Sequence, residues 1–419
     1  MNNYYSNLDL DDIKELVARY ATFSLSKQAI MEERINYNPL YIRQMNTYVK
    51  EALDYLNSGK SFNLDGVDDI NAELDKAEHI DFLSIYELNK VYLHNIAVRR
   101  IRLLLRDDAI DSLDDFIDPL FYDDNFINSY EKTINNNLEV RPDASKLLME
   151  MTSKINSKRA EISKTATSFM NNNEDSIQEK VVYLRNDRYS LLVKQSYKNR
   201  FNGIIHGESA SKSAVYLEPR ELVLLNNELA QLEADKESEI ARLLLMLTYQ
   251  VNAKVENYRY NIDSLIKLDS IIAKAEYGFS IKGVIPTFNN EHHFEMIGVG
   301  HPLIDRQNLV LNDYKSHDYQ GIVISGSNTG GKTIALKTIA ITCINAYLGI
   351  PIIADKVDLP FYSGIFAIID ENQSIKDSLS TYSAALHSIN ELLNAVNKDS
   401  LVLIDEIGNG TDPDRKSVV

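Results

Sequence analysis

The stretch Gly326-Ser327-Asn328-Thr329-Gly330-Gly331-Lys332-Thr333 fits the phosphate-loop pattern G-x-x-x-x-G-K-[ST] at every fixed position. Its glycines let backbone N–H groups turn inward around an anion, and a helix starting there adds partial positive charge. Lys332 is placed to reach the outer phosphates, and Thr333 to hold Mg2+. The flanks fit this chemistry. Ile322-Val323-Ile324 reads as a buried parallel strand, and Ile334, Ile339, Ile341 and Ile344 form a helical pattern with no proline before Pro351. A plain glycine turn between strand and helix is the competing reading, and the flanks weigh against it.

A second motif supplies carboxylates. Ser400-Leu401-Val402-Leu403-Ile404 is an apolar strand that ends in Asp405-Glu406. Two carboxylates at the tip of a buried strand are unfavourable unless a cation or a reacting water meets them. Asp405 then belongs to the Mg2+ shell, and Glu406 is the catalytic group that polarises an attacking water. Between the motifs, Ser378-Leu379-Ser380-Thr381 leads into a helix near Tyr382. Two readings stay open for it: an anion-binding helix start facing the γ-phosphate of another subunit, or ordinary capping.

These motifs need a scaffold, and 419 residues predict two or three domains. A hydrophobic content of 44% with 25% charged residues is that of a globular chain with buried cores. The lone Cys343 excludes an internal disulfide and fits a reducing cytoplasm, where it reads as a small buried hydrophobe. No stretch has the length of a transmembrane helix, so no membrane partner is expected. A net charge of −17 argues against nucleic acid being gripped by the surface at large.

The expected class is multidomain, α and α/β. Residues 1–179 read as a helical core and lever region, with Asp9 or Asp11 capping the first helix and Asn38-Pro39 opening another. The acidic connector 107–124 reads as solvated surface rather than a metal site. Residues 180–218 read as a small β section with a turn at Asn186-Asp187. Its Arg188, Lys194 and Arg200 are the candidate nucleic-acid contacts, against a reading as solvated sheet faces; His206 reads as structural. Residues 219–275 read as a long charged helical arm or antiparallel coiled coil. Residues 276–419 form a phosphate-loop α/β domain, with further strands expected at Ile352-Ile353-Ala354 and 364–369.

Together, the phosphate loop, Gly300-His301-Pro302-Leu303, Ser378-Leu379-Ser380-Thr381 and Asp405-Glu406-Ile407-Gly408-Asn409-Gly410-Thr411-Asp412-Pro413 resemble the MutS family of ATPases. The likeness is to the bacterial branch that lacks the mismatch-reading N-terminal domains. Asn186-Asp187-Arg188-Tyr189, the segment 203–218, Leu225-Asn226-Asn227-Glu228-Leu229 and Val140-Arg141-Pro142-Asp143-Ala144-Ser145 are similar to the same branch. The resemblance implies a cytoplasmic, homodimeric ATPase using ATP and Mg2+, whose helical levers clamp DNA. It also implies that Ser380 and Thr381 approach the partner's ATP. Branched DNA or stalled ribosomes are the substrates it implies for this branch, and mismatched DNA for the wider family.

Two departures shape the expectation. The chain stops 13 residues after Glu406, where relatives continue through further strands, a switch histidine, a dimerising segment and a small nuclease domain. A C-terminally truncated product with weak nucleotide binding is therefore expected, its incomplete sheet leaving an open apolar edge. Leu309 stands where mismatch-repair relatives place an adenine-stacking aromatic. The alternatives carried forward are a non-hydrolysing helical clamp and an SMC-like ATPase, whose arms normally run longer.

Overall fold

The computed structural model describes residues 8–79, 82–107, 110–316, 321–326, 331–369, 389–390 and 392–405. Helices lead: α1 (Leu10–Ala18), α2 (Ser24–Glu32), α3 (Pro39–Asn57), α4 (Asn71–Glu78), α5 (Ile85–Asp107), α6 (Asp114–Ile117), α7 (Asp124–Thr133) and α8 (Lys146–Asn172). Strands β1 (Ile177–Arg185), β2 (Arg188–Lys194), β3 (Gly203–Glu208) and β4 (Ala214–Pro219) follow, then helices α9 (Arg220–Asn252) and α10 (Val255–Ile281). The remainder is β5 (Thr287–Asn289), β6 (Glu295–Val299), β7 (Asn312–Lys315), α11 (Lys332–Leu348), β8 (Lys356–Pro360), β9 (Gly364–Ile368) and β10 (Ser400–Ile404). Two compact units result: residues 1–69, 96–122 and 256–419 form the first, and 70–95 with 123–255 the second.

In the second unit the hairpin of β1 and β2 closes through Asn186 and Asp187, at φ 50° and 58°. That left-handed pair suits the right-handed twist of the strands, and Asn and Asp tolerate it better than most residues. The antiparallel sheet, ordered β1-β2-β4-β3, lays Ile177, Leu191, Val193, Val215 and Leu217 onto Ile155, Ile162 and Ala166 of α8 and Leu222 and Leu229 of α9. Helix α8 opens with Ser145, whose hydroxyl accepts from Leu148 N at 3.0 Å and donates to Glu239 of α9 at 2.7 Å. Arg242 grips the same carboxylate at 2.7 and 2.8 Å, and its hydrogen bonds hold Glu239 down at about 2 against the opposing effect of burial. A carboxylate depressed in the fold adds stability above its unfolded value, and that stability disappears as pH falls toward 2. Glu239→Gln is expected to lower unfolding free energy by about 2 kcal/mol at pH 7 and to flatten the acid limb of a pH–stability curve. Urea titrations of both chains at pH 7 and pH 3 check this.

The first unit packs around α11, whose Ile339, Ile341, Cys343, Ile344 and Tyr347 are buried with Met296, Val299, Val357, Leu359 and Ile365. Burial pushes the Cys343 thiol up, as expected of a small core hydrophobe. Lys274 of α10 donates to Glu33 at 2.8 Å and to the Leu348 carbonyl that ends α11 at 2.7 Å. Asp269 of the same helix accepts from Thr22 N and Phe23 N, which anchors the residues leading into α2. Its two sheets are ordered β5-β8-β6-β7 and β10-β9, the latter parallel with Ser400 opposite Gly364.

Three local expectations change. Residues 321–326 form no strand, and Val323 is 92% exposed: among the described residues β10 pairs only with β9, so no ladder draws the apolar run inward. Ile352 makes only an isolated bridge to Val284, because the chain bends at 353–355 before β8 begins. Asp9 precedes α1 at φ 53° without a side-chain capping bond; its carboxylate instead meets Lys337 of α11 at 3.0 Å. Asn38 does cap α3 before Pro39, accepting from Leu40 N. Residues 219–275 divide at Ala253-Lys254 into α9 and α10, which fall in different units. Among the described residues no group of three or more acidic, His or Cys side chains is placed to hold a metal, and no helix is long and apolar enough to cross a membrane.

Candidate nucleotide site

Gly331 is the N-cap of α11 at φ 81°, a conformation that a side chain would strain, and it contributes no side-chain cap. The first-turn N–H groups of the helix are therefore left for an external acceptor. Lys332 and Thr333 occupy that turn. The Lys332 ammonium folds back to donate to the Gly326 carbonyl at 2.9 Å. Across from it, Asp405 continues the parallel ladder by donating its N–H to the Ile368 carbonyl at 2.9 Å, which sets its side chain at the tip of β10. There the Thr333 hydroxyl donates to Asp405 Oδ2 at 2.5 Å. The loop-to-helix turn and the end of the acidic strand thus meet through the two side chains that the sequence selects as metal ligands. A hydroxyl and a carboxylate are hard oxygen donors of the kind Mg2+ takes, usually with waters and phosphate oxygens. Ser327, Asn328, Thr329, Gly330, Ser380, Thr381 and Glu406 lie outside the described residues.

Sequence reasoning missed the surroundings of α11. His301, 6% exposed after β6, accepts from Leu303 N through Nδ1 at 3.4 Å, while its buried Nε2 has no hydrogen-bond partner among the described residues. Burial lowers its pKa, with Asp9 opposing and Lys337 assisting. The Gly-His-Pro motif was the only signal, and it gave no hint that Asp9 and Lys337 would stand beside the imidazole. Gly300 packs closely: a Cβ there would sit 2.9 Å from Leu309 Cδ1, so that side chain would have to shift.

The basic candidates sit in different environments. Arg188 forms a two-pronged ion pair with Glu218 at 2.7 Å on each arm and donates to Asn227 at 2.7 Å. Glu218 is fully buried and also meets His206 Nε2 at 2.6 Å and the Asn226 amide at 2.8 Å. Burial alone would raise the Glu218 pKa, but hydrogen bonds from Arg188, Asn226 and His206 outweigh it and the net shift is downward. Lys194 donates to the Asp175 carbonyl at 2.8 Å, and Arg200 reaches Ser176 Oγ at 3.3 Å with its guanidinium near Tyr197 and Phe201.

Comparison with known proteins places the chain. Residues 322–415 match the family described as MutS domain V. The chain is 31% identical over 415 residues to the Endonuclease MutS2 of Geobacillus sp. (strain WCH70), an overlap of 97% of this chain and 53% of that protein. It is 32% identical over 422 residues to the Endonuclease MutS2 of Caldanaerobacter subterraneus subsp. tengcongensis, covering 97% of this chain and 52% of that one. A third, from Finegoldia magna, is 39% identical over 287 residues, which are 67% of this chain and 37% of that protein. The chain belongs to the MutS family. It spans about half the length of the curated relatives that it matches over 97% of its own.

Segments 186–189, 203–218 and 225–229 contribute Arg188, His206, Glu218, Asn226 and Asn227. In the fold those scattered segments become one hydrogen-bonded cluster joining β2, β3 and β4 to the start of α9.

Proposed function

We propose that this MutS-family chain binds Mg2+-ATP through residues 326–333 with Asp405, and couples that binding to holding nucleic acid. The observation that carries the reading is the Thr333–Asp405 contact, which joins the start of α11 to the tip of β10. In this reading Lys332 neutralises the outer phosphates, the first-turn N–H groups donate to the phosphate oxygens, and Thr333 with Asp405 would hold Mg2+. Bound Mg2+ supplies charge neutralisation between the outer phosphates. Glu406 polarises the attacking water, and Ser380 and Thr381 act on the ATP of a second copy in a homodimer. In this reading the 276–419 segment is the phosphate-loop domain, residues 1–179 the helical core and lever region, 180–218 a small β section that offers nucleic-acid contacts, and 219–275 the lever or clamp arm.

DNA, branched or mismatched, is the partner that the family reading favours, with the ribosome as the alternative within the same branch. The test is calorimetric titration of the full chain with ATP, with and without Mg2+, followed by duplex and four-way-junction DNA binding with each nucleotide state. Saturable ATP binding that tightens with Mg2+ and shifts DNA affinity is expected. DNA binding indifferent to nucleotide would leave only the non-hydrolysing clamp, and the absence of ATP binding at millimolar concentration would sink the nucleotide reading.

A further inference from the structure

The sheet of β1, β2, β4 and β3 uses one face for its core, through Leu191, Val193, Val215 and Leu217. Strand alternation turns the intervening residues the other way. On that second face Tyr183 stands opposite Ser190, and Leu192 opposite Tyr216. The two tyrosine rings meet edge to face, 5.4 Å apart, above a buried Ser190 and Leu192. Arg185 lays its guanidinium 4.3 Å from the centre of the Tyr216 ring and donates to its hydroxyl at 2.9 Å. Two aromatic rings set at 73° to each other and one planar cation therefore form a single cluster on the sheet.

Charge points to what this cluster meets. Residues 177–219 carry seven Lys and Arg against four Asp and Glu, inside a chain of net charge −17. Arg188 is neutralised by Glu218 and Lys180 by Glu174. Among the described residues, Arg185, Lys194, Lys198, Arg200 and Lys212 form no ion pair with a carboxylate. An acidic chain that keeps one section unneutralised presents it to an anionic partner. Tyrosine faces add nothing to the grip on a duplex backbone, whose base faces are hidden. They add about 1–3 kcal/mol for each unpaired base that stacks on them.

We infer that the Tyr183–Tyr216–Arg185 face is a stacking platform for unpaired bases of a nucleic-acid strand. The inference rests on the reading that this chain holds nucleic acid, and extends it from phosphate contact to base stacking. It also moves the contact from Arg188, which Glu218 occupies, to Arg185 on the same sheet.

Fluorescence anisotropy on the full chain tests this, with an oligothymidylate of about 20 nucleotides and a duplex of equal length at fixed salt. The parent should bind the single strand at least as tightly as the duplex. Tyr183→Ala with Tyr216→Ala should weaken single-strand binding about tenfold or more and leave duplex binding within about twofold. The paired Tyr→Phe changes should keep both affinities, since stacking needs the ring and not the hydroxyl, and they separate lost stacking from lost fold. Arg185→Ala should weaken both ligands and lower the salt slope by about one. Equal losses on both ligands in the alanine variant, or no loss on either, would overturn the stacking assignment while leaving the clamp reading intact. A parent that binds neither ligand would overturn both.

Discussion

Lys332→Ala is expected to weaken ATP binding about 100-fold while leaving the melting temperature of the chain within about 2 °C. The asymmetry follows from where the side chain stands. Its part-buried side chain donates to the Gly326 carbonyl of its own loop, a neutral acceptor worth about 1 kcal/mol to the fold. Against triphosphate it replaces that carbonyl with charged phosphate oxygens, and a charge-assisted contact of this kind is worth about 3 kcal/mol, or about two decades in dissociation constant. Thr333→Ala and Asp405→Asn should behave differently: ATP without Mg2+ binds them as it binds the parent, and only the increment added by Mg2+ disappears. Thr333→Ser retains the hydroxyl and should retain that increment. Titrations with and without the metal distinguish the two classes. A Lys332→Ala chain that binds ATP like the parent would show that residues 326–333 do not form the phosphate site.

What was legible in the sequence was local. Asn186-Asp187 predicted its turn because those residues tolerate the left-handed backbone a tight hairpin needs, and Asn38-Pro39 predicted its helix start for similarly local reasons. The match to the phosphate-loop pattern was legible because spacing alone defines it. What failed was whatever depended on a distant partner. Ile322-Val323-Ile324 has the composition of a buried strand, yet composition cannot supply a neighbour to pair with. Asp9 has the chemistry of a cap, but Lys337, more than three hundred residues away, takes its carboxylate. Arg188 shows the same limit: by type it reads as a phosphate ligand, and nothing in its neighbourhood announces Glu218 on β4 or Asn227 on α9. The contact between Thr333 and Asp405 lies between these cases, since two separate motifs implied it and the fold had to deliver it.

Removing the Glu218 carboxylate should be the most destabilising single change in the second unit. Glu218 is fully buried and accepts from Arg188, His206 and Asn226, so Glu218→Gln leaves the Arg188 guanidinium part-buried beside an amide that cannot balance it. Breaking a buried pair from one side typically costs about 3–5 kcal/mol, because the remaining charge is uncompensated. The double change Arg188→Met with Glu218→Leu removes both charges and should recover much of that loss, which a purely steric role for Glu218 would not allow. Acidity gives an independent readout. The folded carboxyl titrates below its unfolded value, so its contribution is complete above the ordinary Glu range and is lost as pH falls through the lowered folded value. The parent should therefore lose stability on acidification more steeply than Glu218→Gln. The chain has no tryptophan, so hydrogen exchange is the better probe. Amides of β2, β4 and the first turns of α9 should exchange faster in the variant, with those of α11 unchanged. If amides throughout both units quickened equally, Glu218 would be holding the whole chain rather than the junction between the sheet and α9.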